Sequence, residues 1–291
     1  MTYLKKLSLL LIMQSNAIEK ANLIPDSEEQ RTIKGLFYLL DQNAYGLDFK
    51  VSSGHVIEVQ LVAANLTKIP RNLKQLQYLH ALHLGNNMIS HLRGIENLPM
   101  LLKLDLSNNK LEDISDLSNQ KKLRRLNLSG NQIRDISILG TLEKLEHLNL
   151  AYNKIESMDS IKELKELDYL NVKSNSISID SLLNIFNNLK KLTTLDAANI
   201  GMFNLPENLE INTSIQYLYL SGNQIQDISF LNSFPNLIYA DLSNNPISKL
   251  NPLDNCPSLK ELDLRGTKLP DHEINAAKLG FAGLKGLKSK K

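Results

Sequence analysis

One motif recurs along most of this chain at a nearly constant spacing of 22 residues. It reads Leu-x-x-Leu-x-Leu-x-x-Asn-x-Ile, with other apolar residues at some of the leucine positions. A fixed period of this kind indicates a stack of similar units, because a single unit cannot bury its apolar face without its neighbours. The repeat therefore restricts the fold to a solenoid. The first positions of its ten units are Val56, Leu79, Leu101, Leu123, Leu145, Leu167, Leu192, Ile215, Leu237 and Leu259.

Each position of the motif has its own structural role. Leu82 and Leu84 are two residues apart, so both side chains point to the same side of a short strand. The amide of Asn87, which follows, can donate to and accept from backbone groups where the chain leaves the sheet. The next apolar residues come at three-residue spacing, which favours short 3₁₀ helices. The asparagines expected to form a ladder are Asn87, Asn109, Asn131, Asn153, Asn175, Asn223 and Asn245.

These motifs resemble the leucine-rich repeat family, and the 22-residue form resembles the subfamily that includes phosphatase regulators and internalins. The resemblance covers residues 56–269. It implies an α/β solenoid, a right-handed superhelix with a curved parallel β-sheet on its concave face and 3₁₀ or α segments on its convex face. Such a stack presents a long surface and no natural catalytic pocket, so a binding function is the default expectation.

The first and last units depart from the pattern at the asparagine position, as expected of capping units, and two neighbouring internal units also depart from it. The sixth is three residues longer than the standard unit, and Leu182, Phe186 and Leu189 in it follow helical spacing. We therefore expect an α-helix there. In the seventh unit, Ala197 and Ile200 occupy a leucine and an asparagine position. This departure is either drift in a tolerant solenoid or a change of curvature that shapes a ligand surface.

Residues 1–55 are predicted to form a helical N-terminal cap. The sequence Ser27-Glu28-Glu29-Gln30 is typical of a capping box, and the apolar residues after it predict an amphipathic helix over 27–42. Residues 1–17 allow two interpretations, a helix packed on this cap or a cleaved signal peptide, because two lysines precede a short apolar run.

Residues 270–291 are predicted to form a C-terminal cap that ends in a basic tail. The tail is interpreted as solvated, with an anionic partner as the alternative. The lysines concerned are Lys278, Lys285, Lys288, Lys290 and Lys291.

Composition excludes several functional classes. The net charge of +2 provides no strong field of one sign, so nucleic acid is not an expected partner. The single cysteine, Cys256, occupies a core position and favours the cytoplasm; a secreted or cell-surface location follows if residues 1–17 are a signal peptide. No apolar run reaches the ~20 residues of a membrane span. His83 and Asp105 are interpreted as a polar surface pair. No catalytic motif occurs, so we predict that the protein is not an enzyme and has no cofactor, metal or small-molecule substrate. We also expect a monomer.

The outward side chains of the strands form three columns on the concave face, and tyrosines are concentrated there. Tyr217 and Tyr219 are two apart on one strand, and Tyr239 follows Tyr217 in its column. Tyrosine is enriched in binding hot spots, although β-favouring aromatics also decorate ordinary strands. We predict a scaffold that binds a protein or peptide partner; the alternatives are a regulatory subunit of an enzyme such as a phosphatase and a secreted internalin-like adhesin. The candidate contact residues are Arg125, His147, Tyr152, Tyr169, Tyr217, Tyr219, Tyr239 and Asp241.

Overall fold

The computed structural model contains two compact units, Met1–Ile133 and Arg134–Lys291. The repeat pattern alone does not reveal this division. The predictions for residues 1–17, and for most of the C-terminal cap and basic tail predicted over 270–291, lie outside the part of the chain that the structure describes. The described residues are 18–39, 47–206, 209–250, 253–270, 272 and 286–288.

The described residues of the first unit form five strands in sequence order. β1 pairs with β2 in antiparallel orientation, and the later strands are parallel neighbours. The register places Leu82, Leu104 and Leu126 side by side, and all three are at most 2% exposed. The strands are β1 Leu47–Ser52, β2 His55–Leu61, β3 Ala81–His83, β4 Lys103–Asp105 and β5 Arg125–Asn127. The 3₁₀ helices are Arg71–Gln75, Ile95–Asn97 and Ser115–Asn119.

The second unit has the same kind of architecture, with parallel strands in sequence order. The sequence thus predicted the α/β solenoid class correctly. The strands are β6 His147–Asn149, β7 Tyr169–Asn171, β8 Thr194–Asp196, β9 Tyr217–Tyr219, β10 Tyr239–Asp241, β11 Glu261–Asp263 and β12 Gly286–Lys288. The helical segments are the 3₁₀ helices Ser137–Thr141, Asp159–Glu163 and Ser229–Ser233 and the α-helix Ile179–Asn188.

The asparagine ladder is present in both units. The Asn109 amide donates to the carbonyls of Leu84 and Leu106, both at 3.0 Å, and its oxygen accepts the Ile89 N–H at 2.9 Å. A buried turn would otherwise leave these backbone groups without partners, which costs free energy. The ladder prediction is confirmed. Asn175, Asn223 and Asn245 make the equivalent contacts in the second unit.

The α-helix that was predicted in the sixth repeat of the sequence motif is also present, as Ile179–Asn188. Ser178 caps it by accepting the Ser181 N–H at 3.2 Å. Its buried face includes Phe186, whose ring lies 5.2 Å from that of Phe234 in an edge-on contact. The three extra residues of this repeat thus accommodate an α-helix, whereas most neighbouring repeats have a 3₁₀ helix.

The cap helix runs over Ser27–Leu39, and residues 40–46 are outside the described part. Its N-terminal cap is Asp26, one residue before the predicted Ser27. The Asp26 carboxylate accepts the N–H groups of Glu28 and Glu29, at 2.8 and 2.9 Å, and these hydrogen bonds lower the pKa of Asp26. An ionised carboxylate suits a helix N-terminus better than a serine hydroxyl because it also complements the helix dipole.

The cap is fastened to the first strands through Glu29. Its buried carboxylate accepts the Val56 N–H at 2.7 Å and lies 3.2 Å from Nδ1 of His55. These contacts fix the entry of the chain into β2. None of the helices within the described residues has the length and apolar character that a membrane crossing requires.

Candidate functional site

The strands of the second unit carry their outward side chains on one side of the sheet, here called the strand face. Tyr217 lies beside Tyr239, and Tyr219 beside Asp241, in the register of β9 and β10. Leu218 and Ala240, between them, are fully buried. The predicted columns are therefore in register. Tyr169, Tyr217, Tyr219 and Tyr239 are here called the tyrosine patch.

Two rings of the tyrosine patch contact each other. The ring centroids of Tyr219 and Tyr239 are 5.2 Å apart, with an interplanar angle of 42°. The contact runs diagonally between the columns, whereas the sequence suggested contiguity along the column from Tyr217 to Tyr239. Tyr217 keeps 37% of its surface exposed, and Ser243, in the third column, is small and buried. A partner can therefore approach the rings closely.

The carboxylates among these rings also belong to the turns. Asp196 accepts the Ala198 N–H at 3.1 Å, and Asp241 accepts the Ser243 N–H at 3.0 Å. Such a bond to the N–H two residues ahead forms an Asx turn, which ends the strand. This role was not predicted from the sequence, although an Asp or Asn at the end of successive strands was its signal. Asn149 and Asn171 form the same turn.

Burial and negative charge act together on the ionisable groups of the patch. Burial, with Asp241 adding, raises the pKa of the Tyr239 phenol to about 12. Burial and then Asp196 raise the pKa of Tyr219. Burial raises the pKa of Asp196, with Asp241 adding and with the Ala198 N–H and Lys173 opposing. The patch is thus partly desolvated and electronegative.

One carboxylate at the end of the same column has its own cation. Asp263 is 1% exposed, and the Arg265 guanidinium contacts it through Nε at 3.0 Å and Nη2 at 2.6 Å. Among the described residues, no cationic side chain forms an ion pair with Asp196 or Asp241. Lys173 and Arg265 act on Asp196 and Asp241 from beyond ion-pair distance, so the described cations compensate only part of the negative charge around Tyr219.

A second aromatic pair lies on β6 and β7. The rings of His147 and Tyr169 are 6.0 Å apart, and Nδ1 of His147 lies 3.3 Å from a carboxylate oxygen of Asp168. This geometry adds a polar contact beside the patch. It agrees with the predicted position of both residues on the outer face of their strands.

Tyr152, predicted at the margin of the face, is in an unusual backbone conformation. Its φ is 56°, a left-handed value, and 55% of its surface is exposed. Lys173 Nζ lies 5.8 Å from its ring centroid. A bulky side chain in this region is strained, and such strain is often retained at functional positions. The equivalent residues in other repeats include Asn86, Asn108, Ser174, Asn199 and Asn244.

Two predictions concern the first unit. Arg125 is exposed on β5, beside Lys103 of β4, and belongs to a different unit from the tyrosine patch. The expected pairing of His83 with Asp105 is wrong. Nε2 of His83 instead lies 3.6 Å from Oε1 of Glu58, and the Asp105 carboxylate accepts the Ser107 N–H at 2.9 Å.

Family models decide what this repeat is. A model described as two copies of the leucine-rich repeat matches residues 121–163 and 235–273, and a single-repeat model matches residues 212–228. The chain is a leucine-rich repeat protein. This leucine-rich repeat protein has the core leucines, asparagine ladder and alternating 3₁₀ segments that the resemblance implied.

Solved structures share its fold. An internalin (inlF) from Listeria monocytogenes is 21% identical with a TM-score of 0.67, and the match covers 94% of this chain and 92% of that one. Internalin C2 from the same species is 27% identical with a TM-score of 0.56, over 84% and 96%. A plant receptor kinase ectodomain from Arabidopsis thaliana is 26% identical with a TM-score of 0.62, over 80% and 30%. No curated protein matches by sequence.

Proposed function

We propose that this leucine-rich repeat protein is a non-catalytic scaffold that binds a protein partner on the strand face of its second unit. The observation that carries this proposal is the contact between the half-buried rings of Tyr219 and Tyr239, beside the exposed Tyr217. Aromatic rings held in place by the sheet lose little conformational entropy on binding and bury a large area, which suits a hot spot.

The solved relatives support the class of function. The receptor kinase ectodomain to which this chain is similar was solved in complex with Casparian strip integrity factor 2. A regulatory subunit of an enzyme such as a phosphatase, or an internalin-like adhesin, would use the same kind of face. The single cysteine favours a cytoplasmic scaffold, and the adhesin alternative depends on secretion through residues 1–17.

The test compares binding by wild type and a tyrosine variant. The purified full-length chain serves as bait in a lysate of its source, and a captured partner is then purified for affinity measurement. We expect Tyr217→Ala with Tyr239→Ala to weaken binding by roughly 2 kcal/mol, or about thirtyfold, because two hot-spot rings are removed. Circular dichroism and melting should stay close to wild type, because neither ring belongs to the apolar core.

The matched control is Lys162→Ala with Lys165→Ala. Both lysines are exposed; Lys162 lies in the 3₁₀ helix Asp159–Glu163, and Lys165 follows this helix. This variant should bind like wild type. A partner that binds the tyrosine variant as tightly as wild type, with folding intact, would refute the proposed surface.

A further inference from the structure

One member of the ring pair, Tyr219, lies between two carboxylates. In the sheet register Tyr219 on β9 is next to Asp196 on β8 and next to Asp241 on β10. Neighbouring strands are ~4.8 Å apart, so the two acids flank this residue on both sides. Three adjacent strands thus present a π surface and two negative charges together.

The fold does not need these charges. The turn that Asp196 and Asp241 form is also formed by Asn149, at 3.1 Å, and by Asn171, at 3.0 Å, in the same unit. An asparagine oxygen accepts the same N–H without the cost of a partly buried charge. The raised pKa of Asp196 shows that its charged form is disfavoured where it stands. The charge at this position therefore costs stability without improving the turn.

The chemistry that relieves this cost is a cation. A lysine or arginine side chain is attracted to the face of an aromatic ring and pairs with carboxylates, and arginine can do both with one planar group. The chain itself uses this solution at Asp263, which is held by Arg265. An acidic partner would be repelled, and a purely apolar partner would bury both carboxylates unpaired.

We propose that the tyrosine patch binds a basic segment of the partner protein, with a lysine or arginine side chain stacked on Tyr219 and Tyr239 and paired with Asp196 and Asp241. The inference rests on the proposed function and adds the chemistry of the partner. It makes Asp196 and Asp241 specificity-determining contacts; of these two residues, only Asp241 was predicted from the sequence.

The experiment uses three peptides of equal length as probes. They have the sequence Gly-Ser-Arg-Gly-Arg-Ser-Gly, the same sequence with citrulline for arginine, and the same with glutamate for arginine. The full-length protein is titrated with each to millimolar concentration by calorimetry at low salt. Citrulline has nearly the shape of arginine but is neutral, and a carbonyl acceptor replaces one of the NH2 donor groups of arginine. We expect saturable binding of the arginine peptide alone.

The decisive variant is Asp196→Asn with Asp241→Asn, which keeps both turn acceptors and removes both charges. We expect it to bind the arginine peptide about tenfold more weakly, or not at all, because the ion pairs and the field on the rings are lost. The control is Glu210→Gln with Asp254→Asn, two exposed residues of the same unit with the same change in net charge. The control should bind like wild type.

Several results would overturn the inference: no saturable binding of the arginine peptide, equal binding of the citrulline peptide, or equal affinity of wild type and the asparagine variant. Binding that appears only after the five C-terminal lysines are replaced by alanine would assign the patch to the tail of this chain and would also overturn it. If the peptides fail while the tyrosine variant still loses its captured partner, the proposed function stands and only the cation inference falls.

Discussion

At the scale of single residues, Asp and Asn on the strand face form the same turn and differ in charge. Both accept the N–H two residues ahead, as Asp196 and Asn171 do on neighbouring strands. Only the aspartate adds a charge, and there the surroundings disfavour it. The local structure therefore tolerates exchange between the two residues, while the electrostatic surface changes with each exchange.

The first residue-scale prediction is that Asp196→Asn stabilises the protein at neutral pH. The raised pKa of Asp196 means that the folded state holds this proton more tightly than the unfolded state. The stability that it contributes is complete below the ordinary pKa of 3.8 and is lost as pH rises through the raised value. Urea unfolding at pH 7 should show a gain of a few tenths of a kcal/mol, reduced by solvent screening because the group is half-buried.

The gain should shrink as the pH approaches 3, because the wild-type carboxylate is then neutral in both states. Asp254→Asn, at an exposed position of the same unit, controls for net charge. A variant less stable than wild type at pH 7 would mean that the charge supports the turn, and it would remove one argument for a cationic partner.

The second residue-scale prediction concerns Tyr152. A left-handed backbone costs a bulky L-residue roughly 1–2 kcal/mol, and asparagine adopts it more readily. The chain has asparagine at the equivalent Asn108 and Asn244. Tyr152→Asn should therefore raise the unfolding free energy by about 1 kcal/mol, measured by denaturant melts. Tyr152→Phe keeps the strain and should match wild type; a stabilised phenylalanine variant would show that the phenol, and not the backbone, carries the cost.

At the scale of elements, consecutive side chains of each three-residue strand alternate between the core and the surface. Leu148 of β6 is fully buried, and Asn149 beside it is half-buried and accepts the Ala151 N–H. We expect Leu148→Ala to cost roughly 2–5 kcal/mol of stability, because it leaves a cavity between neighbouring repeats. Asn149→Ala should cost about 1 kcal/mol, the value of one hydrogen bond. Equal losses in denaturant melts would contradict the inside and outside assignment.

The elements that were predicted correctly from the sequence are those whose buried side chains recur at a regular spacing. The repeat strands and the helix Ile179–Asn188 show such a period, and they are present. β1 was missed because only Phe49 among its six residues is buried, and one buried side chain makes no period. The helix cap was misplaced by one residue because Asp26 and Ser27 are both good caps, and only the geometry distinguishes them.

At the scale of the whole molecule, the repeat determines the fold and leaves the partner open. The core leucines and the asparagine ladder form the same contacts in both units, so a short pattern was enough to predict them. The outward residues do not enter the core and can change while the fold persists. The sequence therefore indicated the tyrosines and the column in which Asp196, Tyr219 and Asp241 follow one another, but the contact between the rings of Tyr219 and Tyr239 required the side-chain geometry.

The pH dependence of stability provides a whole-molecule test of that electrostatic environment. The pKa of Tyr239 is raised from the ordinary 10.0 to about 12, so the folded state holds the phenol proton more tightly than the unfolded state. The unfolded chain loses this proton first, and stability is therefore lost as pH rises from 10 to 12.

We expect the urea midpoint of Tyr239→Phe to fall less between pH 9 and pH 11 than that of wild type. Tyr78→Phe, at an exposed position of the first unit, is the matched control and should follow wild type. Parallel decline of all three proteins would show that burial and the neighbouring Asp241 do not shift the pKa of Tyr239, and the patch that is proposed to bind a basic partner would lose this electrostatic support.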